Sequence, residues 1–221
     1  MQFKRLVILL YAFIGLLITS LSISFGFEYL VNLNQWMGLI IGVLFMFLGM
    51  IIYQFGKKIP VFYIISFVLN MIGVGLSITA YYVFKAYALN QVDFIFAIMV
   101  SLSILAGFGL MTFIPIIKRH LKITISITII TVFAVSLYLW LSVDEFTGLS
   151  FYFLNIIYFY MIAMIQGTPS LKDLSKEMAL VSFGSFILIS IIVLIILSEG
   201  EVLGGLDGFD GSDIAVKKKR K

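Results

Sequence analysis

The stretch "WMGLIIGVLFMFLGMIIYQFG", residues 36–56, runs from Trp36 to Gly56 without a charged side chain. A helix rising ~1.5 Å per residue needs roughly 20 apolar residues to cross a hydrocarbon core ~30 Å thick, and this stretch has that length. Its glycines follow one another with helical regularity. At ~100° per residue, Gly38, Gly42, Gly49 and Gly56 fall within roughly 40° of one line. Such a seam lets a second helix approach backbone to backbone, as small residues do at helix contacts in membranes. The partner is either another helix of the same bundle or a second copy of the chain.

The rest of the chain repeats the pattern. Of its 221 residues, 62% are hydrophobic and only 12% charged. The charged share is about half the soluble average, so lipid has to cover the apolar surface. The sequence therefore predicts an all-α, polytopic membrane bundle over residues 1–198, followed by a polar tail over residues 199–221. Charges divide the bundle into about seven spans, near residues 6–25, 36–55, 59–84, 94–117, 123–143, 149–165 and 178–197. The third is longer than a bilayer requires and is expected to tilt. The fifth begins "KITISITIITVF", which alternates like a strand. An isolated strand in lipid would leave its backbone unpaired, so a helix with Thr124, Thr128 and Thr131 along one side is expected. Gly167 and Pro169 end the sixth span.

The basic residues set an expected orientation. Lys4, Arg5, Lys57, Lys58, Lys118, Arg119, Lys122, Lys172 and Lys176 fall on one side of this arrangement, whereas the loops between spans on the other side carry only Lys85, and the five basic residues of the tail lie about 20 residues beyond the last span. By the positive-inside rule the N-terminus lies in the cytoplasm, and seven crossings place the C-terminus outside. A span count of six or eight would bring the tail back to the cytoplasm. The first span has a basic start like a signal peptide, but Ser20, Ser22 and Ser24 make a poor cleavage site, and retention is expected. Short connections, the absence of cysteine and an Ile-, Phe- and Lys-rich composition point to a bacterial cytoplasmic membrane.

Chemistry-bearing groups are conspicuously absent from the span interiors. Every Asp, Glu, Lys and Arg lies between spans or at their ends, whereas proton- and ion-coupled transporters keep such groups within the membrane. The single histidine, His120, sits in the basic segment "KRHLK" and is expected to be a solvated loop residue. "FGSF" around Ser185 lacks the full nucleophile-elbow pattern and any partner base. No metal-ligand cluster or phosphate-binding loop is recognisable, so no cofactor, no metal and no enzymatic activity are expected.

Uncharged polar residues remain. Ser66, Asn70, Gly73, Ser77 and Tyr81 share one face of the third span, and Tyr152, Asn155 and Gln166 lie close together on the sixth. Either the two groups hydrogen-bond helices together, or they line a narrow pathway or ligand pocket, with Ser66, Asn70, Ser77, Asn155 and Gln166 as its candidate residues. Paired glycines at Gly73/Gly75 and Gly107/Gly109, with Pro115 beyond, would suit broken helices at a midplane site.

The tail carries Asp207, Asp210 and Asp213 among glycines, a spacing unlike a calcium loop and consistent with a solvated linker. It ends in Lys217, Lys218, Lys219, Arg220 and Lys221, a cluster suited to anionic lipid or a surface polymer rather than to nucleic acid. Two functional expectations follow. One is an uncoupled small-solute permease or the membrane subunit of a transport assembly. The other is a non-transporting scaffold or regulatory protein that binds a membrane-protein partner through the tail or the glycine-lined face.

Overall fold

The computed structural model of the chain describes residues 2–30, 35–84, 91–143 and 170–198, and their regular structure is entirely helical. In chain order the helices are α1 (Gln2–Tyr29), α2 (Gln35–Phe55), α3 (Val61–Phe84), α4 (Gln91–Met111), α5 (Pro115–Arg119), α6 (Leu121–Val143) and α7 (Leu171–Leu197). Helix is the form that pairs every backbone N–H and C=O within one segment, which lipid requires.

Among the described residues, five helical segments are long and apolar enough to cross a membrane: Arg5–Tyr29, Trp36–Phe55, Val61–Phe84, Phe94–Met111 and Lys172–Ile191. Helix α6 contributes a shorter apolar stretch, Leu121–Thr131. The sixth expected span, residues 149–165, lies outside the described residues, as does the tail.

Helix α3 is the hub. Buried positions make up 61% of its span, against 22% for those of α2 and α4, and α3 packs on α1, α2 and α7. Every residue from Gly73 to Tyr82 is buried. With α2 it forms an antiparallel hairpin, closed by a turn in which the Gly56 N–H donates to the Tyr53 carbonyl (3.0 Å) and the Lys58 N–H to the Phe55 carbonyl (3.0 Å). Helices α1 and α7 both run parallel to α3. Gly15 packs on Phe67 and Gly26 on Thr79, while Asn70 bonds Ser182 and Ser77 bonds Ser190. Helix α4 runs the other way along α1: Leu9 fills the space over Gly109, and Arg5 Nη1 donates to the Thr112 carbonyl at 2.6 Å.

The α2–α3 contact is made where the glycine seam lies. A Cβ placed on Gly38 would sit 2.6 Å from the Leu76 carbonyl oxygen, and one on Gly42 would sit 2.8 Å from that of Gly73. On Gly49 it would meet the Asn70 side chain, and on Gly56 the Tyr63 ring. The approach is reciprocal, since a Cβ on Gly73 would lie 2.9 Å from the Gly42 carbonyl oxygen. In glycine a hydrogen occupies that direction, so Gly38, Gly42 and Gly73 are placed for interhelical Cα–H···O contacts, each contributing about 0.5–1 kcal/mol. All four seam glycines are buried against α3 of the same chain, so the seam is occupied within the bundle and is not open to a second copy.

A second small-residue seam faces the opposite side of α3. Gly15, Thr19, Ser22 and Gly26 of α1 recur at four-, three- and four-residue steps, and a Cβ on Gly75 would lie 2.6 Å from both the Thr19 carbonyl oxygen and the Ser22 Cβ. Neither seam breaks its helix. Helices α3 and α4 run uninterrupted through Gly73/Gly75 and Gly107/Gly109. The broken midplane helices expected from those pairs are therefore absent; the glycines at 73, 75 and 109 serve close approach instead.

Other boundaries depart from expectation for local reasons. The fourth span does not continue to residue 117. It stops at Met111, because Pro115 holds the preceding Ile114 in an extended conformation (φ −68°, ψ 126°) and restarts the chain as α5. Helix α7 begins at Leu171 instead of 178, since Ser170 caps it: the Asp173 N–H donates to the Ser170 hydroxyl oxygen at 3.1 Å, and that hydroxyl donates to the Asp173 carboxylate. The alternating fifth span is helical, and the Thr128 and Thr131 hydroxyls donate to carbonyls one turn back, both at 2.9 Å.

Gly42→Leu should destabilise the fold by about 2–3 kcal/mol or prevent assembly, because its side chain would meet the Gly73 carbonyl of the α3 backbone and the buried Ser77 hydroxyl. Gly107→Ala and Gly184→Ala, whose missing Cβ positions have no neighbour within 4 Å, should be neutral or slightly stabilising. Thermal midpoints of the purified variants in one detergent check both; a Gly42→Leu protein melting like the wild type removes the seam from the account.

Candidate functional site

The polar line of α3 is the place where the described structure gathers uncharged polar groups. Ser66, Asn70 and Ser77 are all buried, at 1%, 1% and 0% exposure. They sit between two helices. On one side stands the α2 seam, with the missing Cβ of Gly42 2.7 Å from Ser77 Oγ and that of Gly49 2.6 Å from Asn70 Oδ1. On the other stands α7, which presents Ala179, Ser182, Phe186 and Ser190 on one face.

Asn70 makes the central contact. Its Nδ2 donates to Ser182 Oγ at 3.0 Å and to the Ala179 carbonyl at 3.4 Å, while the Ser182 hydroxyl donates to the same carbonyl at 2.7 Å. One turn or two further along, the Ser77 and Ser190 hydroxyls share a hydrogen bond of 3.4 Å. Phe186 fills the interval between these polar pairs and packs against Gly73. On the α1 side, the Thr79 hydroxyl reaches both the Gly75 carbonyl (3.1 Å) and that of Ile23 (3.3 Å), and the Thr19 hydroxyl reaches the Met71 carbonyl at 3.5 Å. Toward the Arg5 end, the Tyr11 and Ser175 hydroxyls bond at 2.9 Å and the Tyr11 ring stands edge-on to Phe67.

Of the residues singled out from the sequence, then, Ser66, Asn70 and Ser77 share one enclosed strip with Gly42 and Gly49. Asn155 and Gln166 lie outside the described residues. Ser182 and Ser190 complete the strip from α7; their signal in the sequence is the spacing of Ala179, Ser182, Phe186 and Ser190, which share a helix face. The α1 seam was equally readable, with the same spacing logic as Gly38 and Gly42.

Three buried polar atoms among the described residues have no hydrogen-bond partner: Asn70 Oδ1, Ser20 Oγ and Ser101 Oγ. Asn70 Oδ1 is pressed against Gly49, where a Cα–H···O contact is its neighbour. The two serines differ from it. Other span hydroxyls bond back along their own helix, as Ser22 does to Ile18 and Ser103 to Met99, both at 2.8 Å. Ser20 and Ser101 do not. Ser20 shares the face of α1 that carries Leu9 and Leu16, and Ser101, Leu105 and Gly109 recur every fourth residue on α4. Given the antiparallel register set by Leu9 and Gly109, the two hydroxyls lie within roughly one helical turn of each other along the α1–α4 contact.

No charged group enters the polar strip, and among the described residues no cluster of His, Cys, Asp or Glu could hold a metal ion. His120 is exposed in the turn after α5. The strip can join helices and fix their register; it presents no acid, base or activated nucleophile. No family model, characterised protein or solved structure matches the chain.

A double-mutant cycle over Asn70→Ala and Ser182→Ala should give a coupling of about 0.6–2 kcal/mol, the range for polar contacts between membrane helices. It is read from unfolding free energies in mixed micelles, and purely additive losses would dissolve the pairing.

Proposed function

We propose that this chain is a non-enzymatic, non-transporting scaffold or regulatory protein of a bacterial cytoplasmic membrane. The observation that carries the reading is the closure of the α3 polar strip: Asn70 and Ser77 are engaged by α7 serines while the α2 glycines cover the other side. A pathway would need those groups to face a solute. With the glycine seam also occupied, the element left for a partner is the tail, residues 199–221, whose Lys217, Lys218, Lys219, Arg220 and Lys221 would engage anionic lipid, a surface polymer or an acidic protein surface.

The tail lies outside the cell in this reading. Helices α1, α3 and α7 are mutually parallel, which supports an odd number of crossings between the ends of the bundle. Five crossings satisfy that parity, and so do seven, if α6 crosses and the chain returns before Ser170. Six and eight do not. The basic residues then support an N-terminus inside and a C-terminus outside.

A second reading is favoured by Ser20 and Ser101. Two buried hydroxyls without partners on one helix contact suit an uncoupled permease for a small neutral solute, with its polar groups between α1 and α4.

Paired reporter fusions at Lys221, one active only outside the cell and one only inside, should report an outside C-terminus; an inside signal contradicts the parity argument. Liposomes containing the purified protein should admit water, urea and glycerol no faster than protein-free liposomes in stopped-flow light scattering. An acceleration abolished by Ser20→Ala with Ser101→Ala would replace the scaffold reading with the permease.

A further inference from the structure

The elbow between α4 and α6 is uncovered along most of its length. Helix α5 has no buried residue. Ile116 is 77% exposed, and Phe113, Ile114 and Ile123 around it are exposed as well. Interleaved with these apolar side chains stand Lys118, Arg119 and Lys122, all exposed. No acidic residue occurs in the sequence between Asp93 and Asp144, and no ion pair joins these cations to any acid among the described residues. Arg5 adds a further positive charge, because its bond to the Thr112 carbonyl holds its guanidinium at the start of the elbow. The buried side chain of Leu121 anchors the segment to the rest of the protein.

The depth of the elbow narrows what can cover it. The apolar span of α4 ends at Met111 and that of α6 begins at Leu121, so the intervening residues lie at the boundary between hydrocarbon and water. Water alone would solvate the cations and leave four large apolar side chains exposed. Hydrocarbon alone would cover those side chains and strand the cations. A molecule with an anionic head and an acyl chain satisfies both, with the two chemistries separated over the distance from Ile116 to Arg119, neighbours on one turn of helix.

We propose that the α4–α6 elbow is a binding site for an anionic phospholipid, its phosphate held among Lys118, Arg119 and Lys122 and an acyl chain lying along Ile116 and Ile123. The site is independent of the tail and of whether the protein transports anything. Arg5 ties the site to the bundle, since its bond to the Thr112 carbonyl just beyond α4 places a further positive charge beside the headgroup.

The test is native mass spectrometry of the full-length protein released from neutral detergent, with phosphatidylglycerol and phosphatidylcholine of matched chains supplied at equal mole fraction. The wild type should retain phosphatidylglycerol preferentially, and each neutralised cation should lower that preference about fivefold. Lys118→Gln with Arg119→Gln and Lys122→Gln should abolish it, whereas neutralising Lys217 to Lys221 should leave it in place. The single variants Lys118→Gln and Lys122→Gln give graded losses and keep the question decidable if the triple variant does not fold. An unchanged preference in the elbow variants overturns the proposal, as does a preference lost only on neutralising the tail. Displacement of the lipid by millimolar inorganic phosphate overturns it too, by assigning the cations to a free anion.

Discussion

Everything described in this protein depends on how closely α3 can approach its neighbours. Lipid tails are as apolar as leucine, so helices in a bilayer gain nothing by hiding apolar surface from one another. What holds them is packing, weak Cα–H···O contacts and polar pairs, and all of these require backbones at short range. Gly38, Gly42, Gly49 and Gly56 provide that range on one side of α3, and Gly15, Thr19, Ser22 and Gly26 on the other. Between two such seams, α3 is buried without a gap from Gly73 to Tyr82.

That arrangement explains the division of labour among the helices. Among the described residues the buried polar groups are uncharged, and several of them pair across helices whose register the glycines set. Asn70 reaches Ser182 because Gly49 lets α2 close over it without a side chain in the way. Two buried hydroxyls, those of Ser20 and Ser101, remain without a hydrogen-bond partner, and the elbow at α5 is exposed. Helices α4 and α6 keep broad lipid-facing surfaces, as Phe96, Leu110, Ile127 and Ile130 show by their exposure.

Several local features were fully legible in the residues because they depend on a few neighbours in the chain. The glycine line of α2 follows from spacing alone, and so does the polar line of α3. The alternating "KITISITIITVF" is helical for the reason the bilayer imposes, with threonines turned back onto their own carbonyls. Misjudged boundaries were also local: Pro115 constrains Ile114 and ends α4 early, and Ser170 caps α7 with Asp173 three residues on, a signal present in "SLKD". The glycine pairs at 73/75 and 107/109 do not distinguish a break from close packing, because a glycine in a membrane helix serves either.

The sequence by itself determined that this is a helical, membrane-embedded chain whose charges stay near the ends of its spans, since composition and helical period suffice for that. It also determined which faces of α2 and α3 are special. The tertiary structure alone decided what those faces meet. The seam of α2 meets α3, the α3 strip meets α7, and the partner of Asn70 is a serine 112 residues away. Spacing along a helix says which residues share a face, because the helix fixes their angles. It carries no information about which helix lies opposite, since that depends on the packing of all the faces at once.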